Sequence, residues 1–363
     1  TIKSAAFAVD STGQRLWTAK VEGSGLDDFQ RVLDDLRQHL PGATIAAIGH
    51  RIVHGGPRFA EPQRITPEIV AELKRIAPLA PEHLPAEIAI IEACRERLAG
   101  VPQLACFDTA FHHNLPRVAQ TLPIARKYQS AGVRRYGFHG LSYAYLIEEL
   151  AKVAGNAAAR GRVVLAHLGA GASMAAVHQG QCIDTTMAMT PTAGLVMATR
   201  SGDLDPGLMI YLLREHQLSL EELDRLVNRQ SGLLGFSDTS ADMRQLQAAR
   251  TTDDRAAEAI DIFCYSARKW IGALVAALGG LDTLVFAGGI GENSPDVRAA
   301  ICTGLDCLGI VIDPSRNRAN AAVISAEGGR ATVRVIKTDE ELMILRQVQR
   351  CVLDRAANER HKA

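Results

Sequence analysis

The chain has 363 residues, of which 47% are hydrophobic and 22% are charged. This composition supports a large apolar core and excludes disordered, collagen-like and low-complexity proteins. Lysine plus arginine and aspartate plus glutamate each number 40, so the formal net charge is zero. A non-specific binder of nucleic acid or of anionic membranes normally carries a basic excess, and we therefore expect neither partner. The length is roughly two to three times that of one domain and predicts two domains.

The seven cysteines are scattered, and no two of them form a C-x-x-C pair. In a chain of this length they indicate reduced thiols in a cytoplasmic protein, without a disulfide framework or a zinc site. The start has no charged segment followed by an apolar one, so we expect no signal peptide. The most apolar stretch, 270–290, is interrupted by Gly279, Gly280 and Asp282. It predicts the end of a buried helix, a turn and a buried strand rather than a membrane span.

Hydrophobic periodicity and the positions of glycine and proline predict strands and helices along the whole chain. The first half begins with a predicted hairpin, in which the turn 10–14 joins strands 1–9 and 15–21. The predicted elements that follow are helix 27–40, strand 45–53, a helix from Thr66, helix 86–98 and strand 103–108. In the second half they are strand 162–167, a glycine-rich turn at 168–173, the hairpin strands 173–178 and 181–184, helices 207–215, 220–230 and 254–278, strand 284–286, a loop at 288–293, strand 333–336 and helix 340–353.

The two predicted hairpins resemble each other. Residues 1–14 and 173–181 both run from a hydroxyl residue through a strand to a Gly-Gln turn. In the second copy a strand and a glycine-rich turn precede the hydroxyl residue, whereas nothing precedes Thr1. We infer a duplication, and we expect that a strand and turn of about ten residues are absent from this chain. A chance likeness of two hairpins is the alternative.

Two glycine-rich segments, 169–171 and 288–293, each follow a predicted strand. Small residues let backbone N–H groups approach a phosphate, so both are candidate nucleotide contacts. The second is the stronger signal, although it is neither a Walker A loop nor a G-x-G-x-x-G fingerprint. Ordinary turns are the alternative for both.

Three arginines lie in glycine-rich or polar contexts, where a planar guanidinium suits bidentate binding of phosphate or carboxylate: Arg51, Arg135 and Arg200. A surface salt bridge is the alternative for each. Asp108 ends an apolar strand, and acids at the carboxyl edge of an α/β sheet hold substrate or metal, or cap a helix. The pair 112–113 consists of two histidines, but neighbouring histidines point apart, so we do not expect a metal site there.

The order of these motifs is more specific than any one of them. They are 48–56 (IGHRIVHGG), 107–112 (FDTAFH), 134–140 (RRYGFHG), 166–171 (AHLGAG), 189–191 (MTP), 194–206 (GLVMATRSGDLDP), 288–294 (GGIGENS) and 338–342 (TDEEL). In this order they strongly resemble the acetate kinase family, whose members form acyl phosphates from short carboxylic acids. The resemblance covers nearly the whole chain.

The resemblance implies an α/β fold of two duplicated actin-like (ribonuclease H-like) domains, with ATP and the carboxylate meeting in a cleft. The N-terminal domain would be 1–107, with helix 342–363 packing back on it, and 108–341 would be the C-terminal domain with the nucleotide site. ATP or ADP would be a substrate, with Mg²⁺, or Mn²⁺ in its place. The metal ligand would be Glu340, through water, with Glu341 as the alternative. The enzyme would be a cytoplasmic homodimer.

The resemblance also implies roles for other residues. Arg51 and Arg200 would grip the phosphoryl group and the carboxylate, His139 would bind the phosphoryl oxygens, and Asp108 would position or activate the substrate. The substrate-binding residues would be Arg51, Val53, His83, Phe138 and Pro191. The nucleotide contacts would be His167, Leu168, Gly169, Ala170, Gly171, Asp242, Met243, Arg244, Gly289, Ile290, Gly291, Glu292 and Asn293.

The chain also departs from the family pattern. Only 1–3 remain of the initial strand that ends in N-x-G-S-S-S, Glu82 puts an acid at the edge of the acyl pocket, Ala170 replaces an asparagine, and Tyr143 replaces a histidine. These departures bear on substrate preference and rate. They leave two alternatives, a catalytically impaired nucleotide-binding homologue and, closer to the main hypothesis, a propionate or butyrate kinase.

Overall fold

The computed structural model describes residues 2–9, 13–23 and 25–360, with side chains as far as residue 351. The chain forms two compact units. Unit 1 comprises Thr1–Phe111, Gly140–Tyr145 and Asp339–Ala363, and unit 2 comprises His112–His139 and Leu146–Thr338. The predicted domain limits stay a prediction, because a division by contacts does not locate the ends of two duplicated domains.

The strands within the described residues form three sheets. They are β1 (Ile2–Phe7), β2 (Arg15–Val21), β3 (Ile48–Ile52), β4 (Gln63–Arg64), β5 (Gln103–Phe107), β6 (Val163–Leu168), β7 (Ala172–His178), β8 (Gln181–Thr185), β9 (Thr283–Ala287) and β10 (Thr332–Val335). One sheet is the hairpin β1–β2, the second has the order β3-β5-β4, and the third has the order β10-β9-β6-β7-β8.

The helices lie between and after these strands. They are α1 (Leu26–His39), α2 (Pro67–Ile76), α3 (Leu84–Arg97), α4 (Arg117–Gln120), α5 (Arg126–Ser130), α6 (Gly140–Ala154), α7 (Asn156–Arg160), α8 (Pro206–Glu215), α9 (Leu220–Arg229), α10 (Gly232–Ser237), α11 (Met243–Ala249), α12 (Asp254–Leu278), α13 (Gly288–Asn293), α14 (Pro295–Cys302), α15 (Pro314–Arg318) and α16 (Glu340–Arg360). Short 3₁₀ turns occur at Ala77–Leu79, Ala110–His112 and Asp306–Leu308.

The five-stranded sheet forms the core of unit 2. β9 runs parallel to β6 and β10, whereas β7 is antiparallel to β6 and β8. Every residue of β9 and five of the six residues of β6 are buried, because strands covered on both faces need apolar side chains throughout. The carboxyl ends of β6 and β9 therefore lie at the same edge, where the turn 169–171 and α13 begin.

Unit 1 contains a hairpin and a separate parallel pair. The hairpin β1–β2 packs with α1 around Trp17 and Phe29. β3 and β5 are parallel neighbours, and α16 packs on them through Met343 and Val348. Gly49 permits this packing, because a Cβ atom there would collide with Ile344.

The apolar stretch 270–290 forms the end of α12, a turn and β9, as predicted. α12 ends at Leu278, and Gly279 follows with φ 68°, a conformation that strains residues with a side chain. No helix among the described residues is both long and apolar enough to cross a membrane.

Several segments differ from the sequence-based expectations. The predicted loop at 288–293 is wrong, since these residues form α13. Gly288, with φ 77°, turns the chain from β9 into this helix. The elements absent from the prediction are β4, α4, α5, α6, α7, α10, α11, α14 and α15. The longest of them, α6, buries Tyr143, Leu146 and Leu150 at helical spacing. The predicted turn 10–14 lies mostly outside the described residues. The other predicted strands and helices are present, most of them with shifted ends.

Candidate active site

Arg51 and Asp108 form an ion pair at the carboxyl ends of two parallel strands in unit 1. Arg51 lies in β3, and Asp108 directly follows β5, whose Phe107 pairs with Ile52. The Asp108 backbone N–H donates to the Ile52 carbonyl at 2.9 Å and extends the ladder by one residue. Arg51 Nε donates to Asp108 Oδ2 at 3.0 Å, and its Nη2 donates to the same oxygen. The structure thus brings these two predicted residues together.

The two partners differ in exposure. The Asp108 side chain is fully buried, whereas 43% of the Arg51 side chain is exposed. The Asp108 carboxylate raises the pKa of Arg51 above its usual value, against the lowering effect of burial. Within the described part of the chain, Arg51 Nη1 makes no hydrogen bond. Its N–H groups can therefore serve an anion.

Glu340, the first residue of α16, also faces Arg51. Its Oε2 lies 3.7 Å from Arg51 Nε. The flanking acids, Asp339 and Glu341, instead bind Arg15 of β2. Of the two glutamates that the sequence offers as metal ligands, Glu340 is therefore the one beside the Arg51–Asp108 pair.

Val53 follows β3, is buried, and donates its backbone N–H to the carboxylate of Glu87 in α3, at 3.2 Å from Oε1 and 3.1 Å from Oε2. Burial raises the pKa of Glu87 to about 7, against the lowering effects of this N–H group and of Arg51.

The sequence analysis missed Glu87. Helical spacing could have indicated it. The candidate His83 is the N-cap residue of α3, and Glu87 lies four residues later on the same face of the helix. Glu82, which the sequence suggested for the pocket edge, is exposed.

His139 precedes α6 in the left-handed region, with φ 57°. Its Nδ1 lies 2.8 Å from the hydroxyl oxygen of Ser173, and its ring stacks on that of His167 with 4.3 Å between centroids. His167 and Ser173 are opposite each other in the antiparallel pair β6–β7, so the sheet holds both partners. Ser173 is fully buried. These contacts fix the orientation of the His139 ring, and the role of Ser173 was missed in the sequence.

Gly171 lies where His139 and Arg200 approach each other. A Cβ atom at Gly171 would be 3.3 Å from His139 Nε2 and 3.6 Å from Arg200 Nη1. Arg200 Nη1 also donates to the Pro191 carbonyl at 3.3 Å. His139 and Arg200 place nitrogen atoms beside Gly171. Because Gly171 has no side chain, the space between them can hold a small anion such as a phosphoryl group. The structure therefore brings four predicted residues together in unit 2.

The turn 169–171 adjoins the start of α13. A Cβ atom at Gly169 would lie 3.9 Å from the backbone nitrogen of Gly289. At Gly288 a Cβ atom would approach the Leu168 carbonyl oxygen to 2.7 Å, so only glycine allows α13 to start this close to β6. The two glycine-rich segments of the sequence are thus neighbours in space.

Two polar side chains of α13 bind its own backbone. The Glu292 carboxylate accepts hydrogen bonds from the backbone N–H groups of Gly288 at 2.8 Å and Thr338 at 3.0 Å. Asn293 Nδ2 donates to the Gly289 carbonyl at 2.9 Å. Of the other nucleotide candidates here, Ala170 and Gly289 are exposed, Ile290 is half-buried and Gly291 is buried.

Arg298 is a fully buried arginine that the sequence analysis missed. Its Nη1 donates to the Gly291 carbonyl at 2.8 Å and to the Glu292 carbonyl at 3.1 Å, at the end of α13. Its Nε and Nη2 bind the side-chain and backbone oxygens of Asn317, each at 2.8 Å. Burial lowers the pKa of Arg298. The guanidinium fixes the position of α13 because it binds the carbonyls that the helix end leaves unpaired.

Asp242, Met243 and Arg244 form the start of α11. Asp242 caps the helix by accepting from the Arg244 backbone N–H at 2.9 Å, and it also pairs with the Arg244 guanidinium, which lowers the pKa of Asp242. Met243 is buried, whereas 89% of the Arg244 side chain is exposed. The Ser294 hydroxyl, just beyond α13, donates to Gln247 Oε1 at 3.1 Å and connects α11 to α13.

Phe138 and Arg135 are fixed by hydrogen bonds to backbone carbonyls. His112 Nε2 donates to the carbonyl of the buried Phe138 at 2.9 Å, and His112 Nδ1 lies 3.1 Å from Cys182 Sγ. Burial lowers the pKa of His112 to about 4, so this histidine is neutral at pH 7. Arg135 donates to the Thr185 carbonyl at 2.8 Å and to its neighbours, which is a structural role.

Unit 1 thus carries the cluster of Arg51, Asp108 and Glu340, and unit 2 places His139, Ser173 and Arg200 beside glycine-rich backbone. A sequence model of the Acetokinase family matches residues 8–346. The chain therefore belongs to the acetokinase family and is a kinase of that family.

Relatives agree with this assignment. The chain is 47% identical over 346 residues to the acetate kinase of Rhodopseudomonas palustris, with 94% of this chain and 86% of that protein covered. It is similar in structure to the acetate kinase of Porphyromonas gingivalis, at 36% identity and a TM-score of 0.82, covering 93% of this chain and 87% of that one. The propionate kinase of Francisella tularensis gives 35% identity and a TM-score of 0.88, with 95% of each chain covered. The predicted family and the actin-like α/β fold class are confirmed.

Proposed function

We propose that the protein transfers the γ-phosphoryl group of ATP to acetate and forms acetyl phosphate and ADP, reversibly. The observation that carries this proposal is the Arg51–Asp108 pair beside Val53. A guanidinium anchored on a buried carboxylate, two residues from a buried apolar side chain, suits a carboxylate with a small alkyl group. The acetate kinase relatives support the same reaction.

The chemistry needs positioning more than proton transfer. A carboxylate oxygen attacks the γ-phosphorus, the bond from that phosphorus to the β–γ bridging oxygen breaks, and ADP leaves with the bonding electron pair. The attacking carboxylate is already ionised, so no general base is required. Arg51 would orient the carboxylate and the transferring phosphoryl group through its Nη1 donors, and Asp108 would hold the guanidinium in place.

Unit 2 offers the groups for the phosphoryl and nucleotide side. His139 Nε2 and Arg200 Nη1 would bind the phosphoryl oxygens, whose charge is spread in the transition state. The turn 169–171 and the start of α13 would contact the phosphates through backbone N–H groups. Asp242 to Arg244, connected to α13 through α11, would contact the rest of the nucleotide.

Mg²⁺ would neutralise charge on the β- and γ-phosphate oxygens. The described residues contain no group of three or more His, Cys, Asp or Glu side chains that could hold a metal alone. In kinases this ion takes only one or two carboxylates, with phosphate oxygens and water completing the shell. Glu340, partly exposed and 3.7 Å from Arg51, fits that donor set, and Mn²⁺ would fit the same oxygen ligands.

The test is ATP-dependent acyl-hydroxamate formation by the full-length protein with acetate, propionate and butyrate. We expect the highest kcat/KM with acetate. Propionate is the alternative, favoured by the similarity to the propionate kinase of Francisella tularensis. One methylene in an apolar pocket changes kcat/KM by about 10- to 200-fold, so the assay separates the two substrates. ATP binding without turnover for any C2 to C4 acid would contradict the proposal and favour an impaired homologue.

We also propose a cytoplasmic homodimer that associates through α8. All seven cysteines are unpaired thiols, as a reducing compartment favours. α8 buries none of its residues, although Leu208, Ile210 and Tyr211 are apolar or aromatic and 37–53% exposed. A second copy of the chain would cover this face, and a net charge of zero leaves no overall repulsion between copies.

Light scattering should show a dimer that Ile210→Asp converts to monomers and that Val153→Asp, at a separate exposed site, leaves intact. A monomeric wild-type protein would contradict this assembly.

A further inference from the structure

Glu87 has a carboxylate in a place where the proposed reaction requires none. It lies in α3, and both of its oxygens are within 3.2 Å of the Val53 backbone nitrogen. Val53 is the residue assigned to the acyl group, and Arg51, the residue assigned to the carboxylate, lies two positions earlier. Glu87 thus connects a helix to the strand end that carries both substrate-binding residues.

The charges around Glu87 come from the ends of β3 and β5. Arg51 attracts its carboxylate and Asp108 repels it. On the same face, His83 lies one turn before Glu87 and the buried Cys94 lies two turns after it. Two cations near α3 have other partners: Lys74 of α2 pairs with Glu92, and Arg97, at the end of α3, lies over the ring of Phe29 in α1.

The surroundings make Glu87 sensitive to pH near neutrality. Burial raises its pKa to about 7, Asp108 adds to this effect, and the Val53 N–H and Arg51 oppose it. The carboxyl is therefore mostly neutral below pH 7 and mostly ionised above it. In either state an oxygen can accept the hydrogen bond from Val53, so the strand end keeps its position while the charge changes.

We propose that Glu87 is a positioning residue that holds Val53 and sets, through its charge, how strongly Arg51 binds the substrate carboxylate. This inference rests on the proposed function. Ionised Glu87 offsets part of the positive charge of Arg51 through space and repels the substrate carboxylate, whereas neutral Glu87 does neither. By linkage, a bound carboxylate must favour the protonated form of Glu87 by the same factor.

The measurement is the KM for acetate at saturating ATP between pH 6 and 8.5, a range in which acetate itself stays ionised. A coupling of about half to one pKa unit predicts that KM rises about three- to tenfold across this range in the wild-type enzyme. Glu87→Gln keeps an oxygen for the Val53 N–H but has no charge. We expect this variant to show a low KM that does not change with pH, and a kcat close to wild type.

Glu92→Gln is the matched control, because Glu92 lies on the same helix but pairs with Lys74. It should show the wild-type pH profile. If Glu87→Gln retains the wild-type rise in KM, Glu87 does not tune Arg51 and the inference is wrong. A wild-type enzyme that forms no acyl phosphate with any short acid would instead contradict the proposed function itself, and the inference with it.

A second measurement needs no variant. Calorimetric titration of the wild-type protein with acetate at pH 7, in two buffers of different ionisation enthalpy, reports the protons taken up on binding. We expect a net uptake of a fraction of one proton, largest near pH 7. Binding without proton uptake would overturn the inference.

Discussion

Removal of the Arg51 guanidinium is the most direct test of the candidate site. Arg51→Ala deletes the hydrogen bonds to Asp108 and leaves a fully buried carboxylate without this counter-ion. Breaking a fully buried ion pair costs about 3–5 kcal/mol. Since 43% of the Arg51 side chain is exposed, water can replace part of the interaction. We therefore expect the free energy of unfolding to fall by about 1–3 kcal/mol.

The loss of activity should be larger than the loss of stability. Arginines that neutralise a transferring phosphoryl group contribute about 10³–10⁵ to kcat, equivalent to about 4–7 kcal/mol. We expect Arg51→Ala to lower kcat/KM for acetate by about a thousandfold or more and to change the KM for ATP little. Hydroxamate kinetics give the first quantity, and urea unfolding gives the stability of the same preparation.

Arg75 provides a matched control in unit 1. It binds the buried Glu72 through Nε at 2.8 Å and Nη2 at 2.7 Å, away from the residues assigned to the substrate. Arg75→Ala should lower stability by less than Arg51→Ala, because Arg58 also reaches Glu72, and it should retain normal kcat/KM. A loss below about tenfold for Arg51→Ala, about 1.4 kcal/mol, would mean that Arg51 is a structural residue and that the assignment is wrong.

Three further predictions concern single positions. Asp108→Asn keeps the side-chain shape but removes the charge that holds Arg51, so kcat/KM should fall at least about tenfold; a near-normal rate would reduce Asp108 to a structural role. Ser173→Ala removes the hydroxyl 2.8 Å from His139 Nδ1, and the loss of about 1 kcal/mol should lower kcat about fivefold without changing the KM for ATP; an unchanged kcat would contradict the positioning of His139. Gly272→Ala adds a methyl group within α12 where nothing lies within 4 Å, so urea unfolding should show a gain of about 0.5–1 kcal/mol with unchanged activity, and a loss of stability would refute the open-space argument.

Much of the fold follows from the sequence because its periodic segments are long. α12 was predicted over its full range, since its apolar residues repeat at helical spacing and Gly279 ends it. α13 was predicted as a loop because three of its six residues are glycine, which disfavours helix in isolation. Its position is determined instead by contacts with other segments, in which Arg298 binds the carbonyls at its end and Glu292 binds the N–H of Thr338.

The site was less predictable than the fold. Arg51 and Asp108 were named from their motifs, and their pairing follows from parallel strands that end at one edge. Glu87 lies in no motif, and its significance depends on a backbone N–H group that only the packing of α3 against β3 brings within reach. Ser173 was noticed as part of a hairpin, but its contact with His139 depends on the left-handed conformation of a residue 34 positions earlier.

The charges of unit 1 explain why this cluster alone cannot carry out the proposed reaction. One guanidinium, that of Arg51, faces the carboxylates of Asp108 and Glu340, and Glu87 adds negative charge as the pH rises above its pKa. A bound acetate would add another anion to a group that already has more negative than positive charges. The reaction joins this acetate to a polyphosphate, so it needs positive groups in addition to the Arg51 guanidinium. Under the proposed function these include Arg200 of unit 2 and the divalent cation that accompanies ATP. The same charge balance makes a neutral Glu87 favourable for substrate binding, because each negative charge removed from this cluster strengthens the attraction between Arg51 and the substrate carboxylate.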